Sequence, residues 1–307
     1  MMTLLRTLLA LLLLAGPASA QTLVKLQVAT TPNDSGAEVF YAQDMGFFKK
    51  AGLDVEITTL NNGGLISAGV AAGTFDVAQS AVSSVASAHE RGINFVIIAP
   101  AALWTSDRPT SALVVAKNSP LASAKDFDGK TIAVNGLRNV TQVGPEAWIE
   151  QGGGNLASVK FLELPFADMP GAVAAGRIDA AQISEPALDA AVKAGGMKAI
   201  AAPYDAIAKR FLLAGWFSTT VWAQQHPDLV KKFAAAMLET ARWANANPVA
   251  SGKILEKYTK LPVSPTMARV LYPERMIPSE AQPLIDASAR YGALKKTFPA
   301  SEIFPSP

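Results

Sequence analysis

The 307-residue sequence contains no cysteine and only two histidines, His89 and His226. The first absence excludes disulfides, thiolate zinc sites, iron–sulfur clusters and a cysteine nucleophile. The second leaves too few ligands for a histidine-rich metal site, and no metal or cofactor is expected. Neither absence fixes the compartment, since disulfide-free proteins occur on both sides of a membrane. Charge is scarce as well: 17% of residues are charged, 27 basic against 25 acidic. So few charges argue against disorder and against a nucleic-acid binder working through many phosphate contacts. No Gly-x-Ser-x-Gly elbow, P-loop or zinc-binding helix motif occurs. Beyond the first twenty residues no apolar run is long enough to span a bilayer.

Those first twenty residues carry a message of their own. Met1 to Arg6 is a short basic start, Thr7 to Ala15 is a Leu/Ala run, and Ala18-Ser19-Ala20 supplies the small residues of a cleavage site. This is the layout of a secretory signal peptide cut after Ala20, and the run is too short for a membrane anchor. Residues 1–20 are therefore expected to be removed, leaving an almost neutral exported chain. The remaining length exceeds what one hydrophobic core usually serves, so two lobes are expected.

Along the mature chain, strand and helix patterns alternate. Strands are expected at Leu23–Ala29, Leu53–Thr59, Phe75–Ala78 and Asn94–Ala99, with helices at Gly36–Ala51, Asn61–Ala72 and from Ser80, as helix cap, to Arg91. Such alternation predicts an α/β fold with mostly parallel sheets covered by helices. The pattern returns between Thr131 and Ile183. Val70 to Gln79 and Val173 to Gln182 agree at seven of ten positions with a constant offset of 103. In each copy the Gly can end a helix in a left-handed residue and the Asp can answer the polar turn before a strand. Two copies imply two similarly built lobes. After Phe211–Ser218, one more strand, the chain turns helical, with a long amphipathic helix over Trp222–Asn247 and further helices near Lys253–Tyr258 and Ser279–Tyr291. That tail is expected to pack on the first lobe, which divides the chain into a discontinuous lobe 1 (21–109 plus 219–307) and a lobe 2 (110–218), with crossings near Thr110 and Phe217.

Several stretches resemble a known family. Tyr41 to Glu56 (YAQDMGFFKKAGLDVE) resembles the first-helix signature of periplasmic solute-binding proteins of ABC transporters, in the branch covering sulfonate, taurine, nitrate and thiamine-pyrimidine binding. Ala71–Ala78, Leu164–Pro170, Ala175–Ala180, Glu185-Pro186 and His226–Phe233 resemble it further, in the family's order. The resemblance implies a type II periplasmic-binding-protein fold: two α/β lobes joined by two crossovers, closing on a ligand and delivering it to an ABC permease. It does not fix the ligand.

In open α/β sheets, ligands sit beyond the C-terminal strand ends, among loops and helix N-termini. That rule selects Thr31 and Asn33; Asn62, Gly63 and Gly64, whose amides open a helix; Ser80; Asn135, Arg138 and Asn139; and Glu185. Arg138 is the candidate clamp, because a guanidinium holds a carboxylate or sulfonate bidentately. Glu185 is a candidate polar contact, or the partner of Arg138 in the empty protein. Trp104 and Trp216, near strand ends, are candidates for stacking on a flat ligand. Each side chain also has a structural alternative: a turn, a cap, a solvated charge or core packing. The two histidines are expected to do no chemistry.

The sequence thus predicts a monomeric, non-catalytic receptor for an organic anion, an aromatic carboxylate or sulfonate best of all. A neutral heteroaromatic such as a pyrimidine is the alternative. An enzyme like the thiamine-pyrimidine synthases is disfavoured, because they resemble a Cys- and His-bearing pattern that this chain lacks.

Overall fold

The computed structural model describes residues 22–305; the expected signal peptide and its cleavage point lie outside them. Among the described residues no helix is long and apolar enough to cross a membrane.

Two five-stranded sheets organise the chain. The first takes β1 (Val24–Thr30), β2 (Leu53–Thr59), β3 (Val77–Ala81), β4 (Phe95–Thr105) and β10 (Arg210–Thr219) in the order β2-β1-β3-β10-β4. The second takes β5 (Ser111–Ala116), β6 (Thr131–Val134), β7 (Lys160–Glu163), β8 (Ala180–Ser184) and β9 (Met197–Ala201) in the order β7-β6-β8-β5-β9. In each sheet four strands point one way, and one, β10 or β5, runs antiparallel to its two neighbours. The sheets are therefore mixed. The antiparallel strands follow from the crossovers, which return the chain to a sheet without an intervening helix.

The sequence repeat is a structural repeat. β3 and β8 are 103 positions apart at both ends. Gly73 and Gly176 end their helices with φ of 74° and 66°. Asp76 Oδ2 accepts the Gln27 N–H at 2.8 Å, and Asp179 Oδ2 accepts the Thr131 N–H at the same 2.8 Å. Each Asp therefore ties the entry of its own strand to the parallel strand beside it, β1 or β6.

The helices of the first half are α1 (Glu38–Asp44), α2 (Phe47–Lys50), α3 (Gly63–Ala71) and α4 (Val82–Glu90); lobe 2 adds α5 (Val140–Gln151), α6 (Met169–Ala174) and α7 (Ala187–Lys193). The tail contributes α8 (Thr220–Gln225), α9 (Pro227–Ala246), α10 (Pro248–Thr259) and α11 (Gln282–Arg290). Three sequence expectations change here. The helix expected over Gly36–Ala51 breaks at Gly46, whose φ of 76° is left-handed. The helix expected over Trp222–Asn247 splits at His226, because Pro227 cannot donate back and starts a new helix instead. Ser80 is not a helix cap: β3 runs through it, and α4 begins at Val82.

The tail packs on the first lobe, as expected. Phe48 of α2 stacks on Phe233 of α9 at 5.9 Å between ring centroids, and Trp216 of β10 meets the same ring edge-on at 5.5 Å. The division of the chain needs one correction. β10 pairs with β3 and β4, so Arg210–Thr219 belongs to lobe 1 and the return crossing precedes Arg210 instead of lying near Phe217. The two crossovers touch where the Ser106 N–H donates to the Lys209 carbonyl at 3.0 Å.

Candidate functional site

Between the lobes, at the C-terminal ends of β1, β3, β6 and β8, lies a small chamber. Three helices begin at it: Gly63 is the first residue of α3, Ala81 precedes α4, and Asn139 and Val140 open α5. None of the three carries an acidic residue in its first turn. Their dipoles therefore give the chamber a positive potential without a cationic side chain. The lining side chains are all uncharged. Thr31, Ser80, Ser84 and Gln79 come from lobe 1, and Asn135, Thr141 and Ser184 from lobe 2.

Two details mark the chamber as a binding place. The Ser80 hydroxyl, on a residue 2% exposed, has no hydrogen-bond partner in the protein. A buried polar group of this kind is costly unless something bonds it. Opposite it, a Cβ on Gly63 would lie 2.2 Å from the Ser80 oxygen, so only glycine lets the amides of α3 approach this close. The chamber is small, with room for solvent of ≈ 50 Å³, well short of the roughly 150 Å³ that encloses a benzene ring.

The lobes are in contact across the cleft. The Val140 N–H donates to Ser83 Oγ at 3.0 Å, Asn62 Nδ2 donates to Glu163 Oε1 at 2.9 Å, and Asn135 Nδ2 donates to the Asn61 carbonyl. On the outer side, Glu150 Oε2 accepts from Arg290 Nη2 at 2.8 Å and from the Tyr291 hydroxyl at 2.7 Å.

The candidates read from the sequence fall into three groups. Thr31, Gly63, Ser80, Asn135 and Asn139 line the chamber. Asn139 also caps α5, taking the Thr141 N–H at 2.8 Å. Asn62, Gly64 and Arg138 line a second, outer groove, and Asn62 caps α3 through the Leu65 N–H. Asn33, Glu185, Trp104 and Trp216 line neither. Asn33 caps the turn at Asp34–Gly36, accepting the Gly36 N–H at 3.0 Å. Glu185 does not pair with Arg138: its carboxyl takes the Asp189 N–H at 2.9 Å, and its carbonyl receives the Asp34 N–H of the other lobe at 3.0 Å. Burial pushes the Glu185 carboxyl up to about 8, and the nearby acids Asp189 and Asp34 add to the rise, against the hydrogen bond from the Asp189 N–H.

The tryptophans are core residues, and the expectation that they stack on a ligand is overturned. Trp104 is fully buried, donates to Asp205 Oδ1 at 3.0 Å and packs edge-on against Tyr204. Trp216 is fully buried and donates to Glu38 Oε2 at 2.7 Å. Both rings lie on the long strands β4 and β10, where burial on both faces decides their fate. Arg138 is corrected too. It does not reach the chamber; its Nη2 donates to the Gly292 carbonyl at 2.8 Å.

Sequence reasoning missed Tyr204, Leu213 and Ala214, which reach the chamber from the return crossover and β10. No local pattern marks residues delivered by a long-range strand. Ser184, also missed, had a signal: it stands 103 positions after Ala81, its counterpart in the repeat, and both line the chamber.

Two lobes on paired mixed sheets, joined by two crossovers around such a chamber, define a type II periplasmic-binding-protein fold. Solved structures agree. The periplasmic aliphatic sulphonate binding protein SsuA from Escherichia coli superposes with a TM-score of 0.74 at 16% identity, over 92% of each chain. The periplasmic nitrate-binding protein NrtA from Synechocystis gives 0.76 at 15%, over 92% of this chain and 85% of that one. A ligand-binding component of an ABC-type import system from Staphylococcus aureus gives 0.73 at 15%, over 92% and 97%. No curated protein matches the sequence. The family model described as NMT1/THI5 like matches residues 33–251. The chain belongs to the NMT1/THI5-like family.

Proposed function

We propose that the chain is the exported solute-binding component of an ABC import system, and that its inner chamber captures a small oxyanion, a sulfonate or carboxylate head, between closing lobes. The observation that carries this reading is the convergence of three helix N-termini on an uncharged, hydroxyl- and amide-lined chamber with the unpartnered Ser80 hydroxyl inside it. Helix N-termini with backbone N–H and hydroxyl donors suit an anion and need no counter-charge. Two of the structures that share the fold are, by name, binding proteins for oxyanions, and a third is the ligand-binding component of an ABC-type importer. The small volume favours a compact head over a ring, so the anionic reading stands ahead of a neutral heteroaromatic.

The role is binding without catalysis. His89 lies beside Glu302 at 3.1 Å on the far side of α4, and His226 stacks on Trp222 between α8 and α9, so neither faces the chamber. The chain has no cysteine, and no carboxylate or imidazole lines the chamber to activate one of its hydroxyls. Export follows from the signal peptide, and intact mass of periplasmic material should show loss of residues 1–20.

A thermal-shift screen of methanesulfonate, ethanesulfonate, nitrate, acetate and a methylpyrimidine tests the reading. An anion should stabilise best, and small-angle scattering should show the radius of gyration held at or moved to its smaller value on binding. Stabilisation by the pyrimidine alone would sink the oxyanion reading.

A further inference from the structure

The inner chamber opens outward past Ser84 and Asn139, which line both it and a second groove. The groove, with ≈ 370 Å³ of space, runs between α3 and α4 of lobe 1, the β6–α5 loop of lobe 2 and the loop after α11. Its charges are of both signs: Arg91, Arg138 and Lys295 against Glu90 and Glu163.

Those charges do not neutralise one another by contact. Glu163 is occupied by the Asn62 side-chain amide at 2.9 Å and the Leu137 N–H at 3.1 Å. Glu90 takes the N–H groups of Lys295 and Lys296 at 2.5 and 3.2 Å. The arginines are bonded to neutral carbonyls, Arg91 to Ser87 and Arg138 to Gly292. Among the described residues none of the three cations forms an ion pair. Both acids are thus bonded by amide donors and by no cation, while guanidinium donors stay available.

Arg138 stands out in its backbone as well. Its φ is 60°, a left-handed conformation that side chains other than Gly, Asn and Asp seldom adopt. The strain is held by Gln142, whose Oε1 accepts the Arg138 N–H at 2.7 Å while its own amide donates to Glu146 at 2.7 Å. A charged residue kept at a strained position beside a ligand cleft is the kind of outlier that points to a role. Across the groove, the buried hydroxyl of Ser67 on α3 has no partner.

We propose that this groove is a second subsite, and that the solute is two-ended: an oxyanion held in the inner chamber and a second anionic group, on a short chain, held in the groove at Arg138. The proposal rests on the oxyanion reading of the chamber. Arg138 is then a specificity residue that selects for length and for a second charge, while the inner chamber supplies the common head site.

The test compares ethanesulfonate with sulfoacetate, 3-sulfopropanoate and 4-sulfobutanoate by isothermal titration, using the full mature chain and the variant Arg138→Gly. Glycine accepts φ of 60° without strain, so the variant keeps the loop backbone while removing the side chain and its guanidinium. At least one two-ended compound should bind the native protein about tenfold or more tightly than ethanesulfonate, and Arg138→Gly should reduce that preference to about twofold, whatever common loss both ligands share from the missing cross-lobe bond to the Gly292 carbonyl. Equal affinity for all four compounds, or a preference that survives in the variant, would overturn the second subsite and leave the oxyanion chamber standing. Failure of all four to bind would overturn the chamber reading and the subsite with it.

Discussion

The Ser83 hydroxyl on α4 of lobe 1 accepts the N–H of Val140, the first residue of α5 in lobe 2, at 3.0 Å. One lobe therefore caps a helix of the other, and the bond exists only while the cleft is shut. Ser83→Ala should weaken ligand affinity about two- to tenfold, the worth of one net hydrogen bond. The thermal midpoint of the ligand-free protein should change little, because neither lobe's own core is touched. Titration calorimetry beside a melting curve separates the two effects.

Glu185 makes stability depend on pH. Its carboxyl, raised from an ordinary 4.5 to about 8 chiefly by burial, binds a proton in the folded state that it lacks when unfolded at neutral pH. The folded state then holds more protons between those two values, so stability falls as pH rises from about 4.5 to about 8 and levels off above. Glu185→Gln keeps a hydrogen-bonding oxygen and cannot ionise, and should flatten that slope. Melting temperatures measured from pH 5 to 9 check it; a slope identical to that of the native protein would rule Glu185 out as its source.

Asp34 is buried and held by Arg269, whose Nη2 and Nε lie 2.9 and 3.1 Å from Oδ1, by the Val270 N–H at 2.6 Å and by the Tyr272 hydroxyl. Removing the guanidinium strands a carboxylate that water cannot reach. Arg269→Ala should cost about 3–5 kcal/mol in urea unfolding, the range for breaking a buried pair from one side. Asp34→Asn, which keeps acceptors for Val270 and Tyr272, should cost less.

Trp216 and Glu38 form a second buried couple. Burial raises the Glu38 carboxyl well above its ordinary range, against the Trp216 hydrogen bond, and Oε1 has no partner in the protein. Trp216→Phe leaves both oxygens unbonded and should destabilise by at least about 1–3 kcal/mol. Combining it with Glu38→Leu should recover part of the loss. A double-mutant cycle in denaturant measures the coupling.

How much of this was legible in the sequence varied with the range of the interaction. Local signals read well, as with the Gly that ends each helix in the repeat, whereas the Asp of each copy bonds not the nearby turn but a backbone N–H 49 or 48 residues earlier. The sheet membership of β10 was not legible, because the strand Arg210–Thr219 pairs with partners more than a hundred residues earlier. The site divided the same way. The rule of loops after parallel strands selected Thr31, Gly63, Ser80, Asn135 and Asn139, all of which line the chamber. The tryptophans misled because proximity to a strand end says nothing about which way a ring points on a strand buried from both sides. Arg138 lay one residue from the helix cap, yet its left-handed backbone turns it to the outer groove, and no composition or spacing announces a positive φ.

The discontinuity of lobe 1 sets an order of assembly. The second sheet is made from one continuous stretch, Ser111 to Ala201, and can close as soon as that stretch is available. The first sheet cannot: β10 must insert between β3 and β4, and Asp34 waits for a partner 235 residues away. A chain made N-terminus first would therefore complete its second half-molecule while the first still shows two unpaired strand edges. Those edges are the surfaces on which such chains aggregate. The stretch from Arg210 onward acts as the chain's own shield, and a nascent protein stalled before that residue is the form that most needs a chaperone.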